Sequence, residues 1–292
     1  MLAVKKYLSL IKFSHTIFAM PFALIGFFLG VSFYHNMTTS FAAKLPKIFI
    51  LVIFCMIAAR SAAMAFNRWL DAGFDAKNPR TAVREIPSGI IHSKNALLFV
   101  IFNCIAFIAC CWFINRLCFY LSFVALFVIL FYSYTKRFTA LCHLVLGVGL
   151  ALAPIGAYLA VTGIFSLLPV LFSFTVFFWV SGFDIIYALQ DEDFDNANQL
   201  YSIPVMLGKK KALYISKLLH MLAAGCIIFA GFYAYFGLWY WIGAGIFITL
   251  LIYQHTLVKP TNLSKINGAF FTTNGIASIV FSVFVLLELL SK

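Results

Sequence analysis

Acidic residues are the scarce class in this chain. Only nine of its 292 residues are Asp or Glu, against 21 Lys and Arg, and charged residues together make up 10% of the sequence. Polar stretches are scarce too. The two longest run from about Asn67 to Gly89 and from about Asp184 to Lys211, too short for a soluble domain. The seven cysteines form no CxxC pair and the six histidines no i, i+4 pair, so zinc and haem sites have little support and the cysteines read as small packing residues.

Apolar sequence is what the chain has in excess. It is 64% hydrophobic with a mean hydropathy of +1.01, more apolar surface than a soluble fold of this length can hide but well suited to a bilayer. Apolar runs fall at about 13–34, 46–66, 95–114, 117–134, 141–161, 166–187, 213–236, 238–258 and 269–290. Each approaches the roughly 20 residues of a membrane helix. Their continuous apolarity excludes the alternation of a barrel strand. The expectation is an all-α polytopic protein of about nine transmembrane helices. The first run follows Lys5, Lys6 and Lys12, but it is long and lacks a small-x-small cleavage site, so it reads as an uncleaved helix.

The net charge of +12 does not point to nucleic acid, because the positive charge is distributed by topology. With loops assigned alternately to the two sides, 17 of the 21 basic residues fall on the side of the N-terminus, leaving Lys44, Lys47, Arg116 and Lys292 opposite. That asymmetry places the N-terminus and the Asn67–Gly89 stretch in the cytoplasm, and the chain in the cytoplasmic (inner) membrane.

Eight of the nine acids lie in two clusters, after the second and sixth apolar runs. Both clusters therefore emerge on the cytoplasmic side. In "NRWLDAGFDAKNPRTAVREIPSG", Asn67, Asp71 and Asp75 recur every four residues, which stacks them on one face if the helix continues. In "DIIYALQDEDFD", Tyr187, Asp191 and Asp195 repeat that spacing, and Asp184 precedes Asp191 by seven. Glu192 and Asp193 point off the stripe and read as solvated, and Glu288 reads as interfacial. Acids at helix ends are commonly mere solvated faces. Two matched stripes in a chain almost free of acid elsewhere are better explained by a shared cation. Carboxylates without thiol or imidazole favour Mg2+, which usually bridges a few carboxylates to substrate phosphates. Lys12, Arg68, Arg80, Arg84, Lys136 and Arg137 are the candidates for phosphate oxygens. A diphosphate whose other end belongs in lipid, as in a polyprenyl diphosphate, fits both halves of the pattern.

These two stretches resemble the aspartate-rich motifs of the UbiA superfamily of intramembrane prenyltransferases. The first resembles NxxxDxxxD, and the second is followed by the similar "SIPVMLG". The resemblance spans the chain and implies a single UbiA-like transmembrane prenyltransferase domain over residues 1–292, with a cap on the cytoplasmic side. It implies Asp71 and Asp191 as catalytic residues, and Asn67, Asp71, Asp75, Asp191 and Asp195 as Mg2+ ligands. Lys136 in "YSYTKR" takes the place of a lysine that holds the diphosphate, joined by Lys12, Arg68 and Arg137. Arg68 replaces the acid of members written NDxxDxxxD, which removes one possible ligand. Arg60, seven residues before Asn67, falls where an arginine grips the acceptor's carboxylate, and Tyr132, Asp184 and Tyr187 line the acceptor region. Arg60 also fits a snorkelling role.

The activity so implied is Mg2+-dependent transfer of a polyprenyl group to an aromatic acid of 4-hydroxybenzoate type for quinone biosynthesis. The "NPRTAVREIPSG" wording also resembles relatives that prenylate a dihydroxynaphthoate for menaquinone. A transporter is the alternative from another class, but transporters place ionisable residues near the midplane, whereas these acids gather at helix ends. CDP-alcohol phosphatidyltransferases carry their acids in one continuous motif, whereas Asp75 and Asp191 are 116 residues apart.

Overall fold

The computed structural model describes residues 3–11, 19–34 and 42–291. Twelve α-helices account for most of them: α1 Ala3–Leu10, α2 Met20–Ser32, α3 Leu45–Leu70, α4 Ala72–Lys77, α5 Ser93–Ile114, α6 Arg116–Thr135, α7 Cys142–Thr162, α8 Leu167–Ala188, α9 Glu192–Ala197, α10 Ile203–Tyr233, α11 Leu238–Leu257 and α12 Asn274–Leu290. A 3-10 turn at Leu189–Asp191 joins α8 to α9, and a π turn at Gly268–Thr273 leads into α12. Among the described residues, β pairing is limited to one isolated bridge, Lys259 with Asn262.

Among the described residues, eight helical segments are long and apolar enough to cross a membrane, and α2 is a shorter apolar helix. The chain is thus a polytopic membrane protein. Inside a bilayer each backbone polar group must find its partner within the segment, and the helix ends are closed accordingly. At the α5–α6 joint, Asn115 accepts from the Cys118 amide at 2.8 Å through Oδ1 and donates to Leu159 O at 2.9 Å through Nδ2. Gly163 ends α7 in the left-handed region, and Ser202 caps α10 through its hydroxyl. Gly208, at φ 77°, ψ 161°, breaks the first turns of α10 from the rest, a backbone state that glycine adopts without steric cost.

The helices form two groups. In one, α3, α5, α6 and α7 pack in succession; in the other, α8 packs on α7 and α10, and α11 on α12. Helix α2 bridges them, contacting α7 and α12. The second group is filled with aromatic rings: Phe22, Phe172, Trp179, Tyr240, Phe247 and Phe281 are fully buried and share contacts. Trp179 Nε1 donates to Asn274 Oδ1 at 2.8 Å, and Asn274 Nδ2 donates to Phe270 O at 2.9 Å. That side chain thereby occupies a carbonyl at the π turn. The α2–α7 contact is unusually close. A Cβ built on Gly26 would lie 2.0 Å from the Pro154 carbonyl oxygen.

Three features depart from the sequence expectations. The polar stretch after α8 is mostly helical, because α9 and the first turns of α10 occupy it. A charged window hides a short helix from an argument built on apolar runs. Helix α10 starts ten residues before the expected 213. Helix α1 was also not expected. It packs on the first group through Leu10, which is buried with Ala65, Ile91, Ala96 and Val100.

Candidate active site

Both acidic motifs are built around the same joint. Helix α3 ends at Leu70, and Asp71 (φ −90°, ψ 4°) links it to the six-residue α4. Asp191 (φ −104°, ψ 3°) links the 3-10 turn to the six-residue α9. Both residues lie in the bridge region of backbone space, where active-site residues are often found. The bend does not break the backbone ladder in the first motif: Asp71 N donates to Asn67 O at 2.9 Å and Asp75 N to Asp71 O at 2.8 Å. Asn67 Nδ2 in turn donates to Asp71 Oδ2 at 3.2 Å, which leaves Oδ1 as its acceptor atom.

Each of three motif carboxylates has a cationic side chain against it. Arg80 Nη2 lies 2.8 and 2.6 Å from the two oxygens of Asp191, and its Nη1 donates to the Tyr187 hydroxyl at 3.3 Å. Burial would lower the Arg80 pKa, but Asp191 and Tyr187 outweigh it and hold the guanidinium above its ordinary value. Arg84 Nη1 lies 2.7 and 2.8 Å from the oxygens of Asp75. Lys136 Nζ lies 2.9 Å from Asp71 Oδ2, and Arg137 Nη2 lies 3.4 Å from Asp71 Oδ1 and 2.8 Å from Leu70 O.

These contacts stitch the two motifs together. Arg80 follows the first motif and grips the second, 111 residues away. Lys136 holds the first motif by its side chain, and its carbonyl accepts from the Tyr201 amide beyond the second at 2.7 Å. Asp195 lies within electrostatic reach of Lys136, Asp191, His143 and Asp71. The donor set is therefore four carboxylates and one amide oxygen, the chemistry that suits Mg2+. Among the described residues, no three of His, Cys, Asp and Glu converge closely enough to close a metal cage alone.

Beneath the motifs, in the first helix group, lies a cavity of about 310 Å3. Arg60 and Tyr132 stand among its lining, and Phe107, Ile114, Leu121 and Leu159 among its apolar walls. Much of the wall is small: Ala59, Ala63, Ala125, Gly149, Ala153 and Gly156 all face it. Arg60 Nε is buried with no hydrogen-bond partner, and Tyr132 is within its electrostatic reach. An unmatched buried cation is costly in an apolar wall unless an anion meets it.

The expected residues do not all take the same place. Asn67, Asp71, Asp75, Asp191, Asp195, Lys136 and Arg137 gather at the motif end, and Arg60 and Tyr132 share the cavity. Asp184 pairs with His143 at 2.7 Å. Tyr187 packs its ring 4.1 Å from that of Phe270 and serves Arg80 rather than the cavity. Arg68 is buried among Arg84, Asp75, Glu85 and Tyr132, with its Nη1 lacking a hydrogen-bond partner. Lys12 lies outside the described residues. Glu192 is 21% exposed and lies 3.7 Å from Lys209. Glu288 is 3% exposed and accepts from the Gly237 amide at 2.7 Å, at the start of α11.

Sequence reasoning missed three participants. His143 carries the signal of a polar residue in an apolar run, "LCHLVLG". Glu85 is buried and accepts from the Ser9 hydroxyl, tying α1 to the Asn67–Gly89 stretch. The cavity has no signal in hydrophobic periodicity, because its wall is alanine and glycine as much as larger apolar residues.

The sequence model of the UbiA prenyltransferase family matches residues 19–276. A curated 4-hydroxybenzoate octaprenyltransferase of Francisella tularensis subsp. mediasiatica is 32% identical over 248 residues, covering 83% of this chain and 86% of its own. The apo structure of a UbiA homolog from Aeropyrum pernix K1 superposes with a TM-score of 0.80 at 30% identity, covering 94% of this chain and 98% of its own. A UbiA homolog from Archaeoglobus fulgidus, solved bound to DMAPP and Mg2+, shares the fold with a TM-score of 0.75 at 18% identity, covering 98% and 100%. By motif, fold and sequence alike, the chain belongs to the UbiA prenyltransferase family and is an aromatic prenyltransferase.

Proposed function

We propose that this chain is a single-domain enzyme of the cytoplasmic membrane that transfers a polyprenyl group from polyprenyl diphosphate to a 4-hydroxybenzoate-type acid, with Mg2+, for quinone biosynthesis. Its N-terminus and motif end face the cytoplasm, as the loop charges favour. One observation carries the reading: the carboxylate and cation cluster stands over an apolar cavity whose polar lining includes an unpartnered arginine. The curated relative's name supports a hydroxybenzoate acceptor, and the metal and prenyl diphosphate in the Archaeoglobus fulgidus homolog support the donor.

Asn67, Asp71, Asp75, Asp191 and Asp195 would hold Mg2+, whose chemistry when bound is to neutralise the diphosphate and improve it as a leaving group. Lys136, Arg137, Arg80 and Arg84 bind phosphate oxygens that the metal leaves free. Arg60 orients the acceptor by its carboxylate, with Tyr132 beside it. The apolar wall takes the prenyl chain and keeps water from the allylic carbon as the C–O bond breaks.

The test is product formation. Membranes holding the wild-type chain receive octaprenyl diphosphate, Mg2+ and a panel of acceptors: 4-hydroxybenzoate, a dihydroxynaphthoate, and phenol as the acid-free control. Prenylated 4-hydroxybenzoate by mass spectrometry supports the reading. Prenylation of the dihydroxynaphthoate alone moves the assignment to menaquinone formation, which the "NPRTAVREIPSG" wording also favours. No product from folded protein would sink both.

A further inference from the structure

The reaction proposed above leaves one proton without a destination. The attacked ring carbon forms its bond to the prenyl carbon while still carrying hydrogen, and the ring becomes aromatic again only when that hydrogen leaves as a proton. Asp71, Asp75 and Asp191 are each already engaged by a lysine or arginine.

Asp184 is different. It lies on α8 two turns before Asp191, and among the described residues its ion-pair partner is a histidine rather than a lysine or arginine. Its partner is His143, the second residue of α7, whose ring is 3% exposed. His143 Nδ1 lies 2.7 Å from Asp184 Oδ2, and His143 Nε2 lies 3.4 Å from the Ile203 amide nitrogen. Nδ1 carries the hydrogen that meets Asp184, so the carboxylate is anchored by a buried ring N–H. With 22% of its side chain still exposed, it also remains reachable. Asp184 and Asp71 both act electrostatically on Tyr132, and Tyr132 on Arg60. Asp184 thus acts within electrostatic reach of Tyr132, which lines the cavity.

We propose that Asp184 accepts the proton lost by the acceptor ring, and that His143 is the positioning residue holding its carboxylate for that transfer. As the prenyl C–O bond breaks, its electron pair leaves with the diphosphate. As the ring C–H bond breaks, its pair returns to the ring and the proton passes to an Asp184 oxygen. The assignment rests on the prenyl transfer proposed above.

The experiment uses the full chain in lipid nanodiscs with Mg2+, octaprenyl diphosphate, and 4-hydroxybenzoate either unlabelled or deuterated at the ring carbons beside the hydroxyl. Asp184→Asn should lower kcat by about 10²–10⁴-fold with little change in KM for the diphosphate, and a deuterium isotope effect on kcat should appear or grow. His143→Leu should lose less and show the same isotope effect. His143→Asn, whose Nδ2 can donate from the place of Nδ1, should recover most of the rate. The Asp184 carboxylate band, isolated as an infrared difference between wild type and Asp184→Asn without metal or diphosphate, should shift in His143→Leu but not in His143→Asn. A wild type that prenylates no acceptor overturns the function and this assignment with it. A working wild type whose Asp184→Asn keeps its kcat without an isotope effect overturns the assignment alone, and an unmoved band in His143→Leu removes the role of His143.

Discussion

Arg80 and Asp191 meet through a guanidinium nitrogen 2.8 and 2.6 Å from the two carboxylate oxygens. The pair joins the stretch after α3 to the end of α8. It also sets Arg80 beside the place where the diphosphate is proposed to bind. Arg80→Gln removes one phosphate partner while leaving the carboxylates in place. A charge-assisted hydrogen bond is worth roughly 1.5–3 kcal/mol, and partial exposure of Arg80 puts this one at the lower end. The KM for octaprenyl diphosphate should rise about tenfold with a smaller change in kcat. Steady-state rates at varied diphosphate check it, and an unchanged KM would remove Arg80 from that role.

Asp71→Asn and Asp191→Asn should each abolish Mg2+-dependent turnover, with a loss of about 10³-fold or more. The exposed Asp193, two residues from both Asp191 and Asp195, supplies the contrast: Asp193→Asn should retain wild-type activity. Product measured across a Mg2+ titration, with EDTA as the zero point, separates these outcomes. Equal loss in all three variants would mean that general acidity, not the stripe, matters.

Arg60 is the discriminating residue for the acceptor. Arg60→Ala should raise the KM for 4-hydroxybenzoate by about 10–100-fold, the worth of a buried bond to a charged group, and leave the KM for the diphosphate alone. The comparison with phenol is the check. The variant should lose the preference for the acid, and a preference that survives would place the carboxylate elsewhere.

The close contact of α2 with α7 gives a prediction about stability. Any side chain at Gly26 meets the Pro154 backbone, and overpacking of this kind costs about 1–3 kcal/mol. Gly26→Val should lower the thermal midpoint in detergent, whereas Gly156→Ala, with open space at its Cβ, should leave it unchanged.

The membrane helices were legible because bilayer solvation demands long apolar runs, and the motif residues because four-residue spacing marks a helix face. Asn67, Asp71 and Asp75 keep that face in the structure even though the helix bends at Asp71. The bend itself was not legible from four-residue spacing, which continues through it; Gly73 lies two residues beyond. Helix α9 was lost in a charged window, and the partner of Glu288 was not legible because it is a backbone amide 51 residues away. Pairings between distant residues, such as Arg80 with Asp191 or His143 with Asp184, are products of packing that local spacing does not encode.

The alanine and glycine wall of the cavity has a genetic consequence. Alanine codons become valine codons by one base change, and glycine codons become alanine or valine codons the same way. At Ala59, Ala63, Ala125, Gly149, Ala153 and Gly156, one point mutation therefore adds one to three carbon atoms to the wall proposed to take the prenyl chain. The acids and cations of the motif end lie on other positions. On the proposed function, single mutational steps at this wall are expected to shorten the isoprenoid accepted while leaving the metal and diphosphate residues in place.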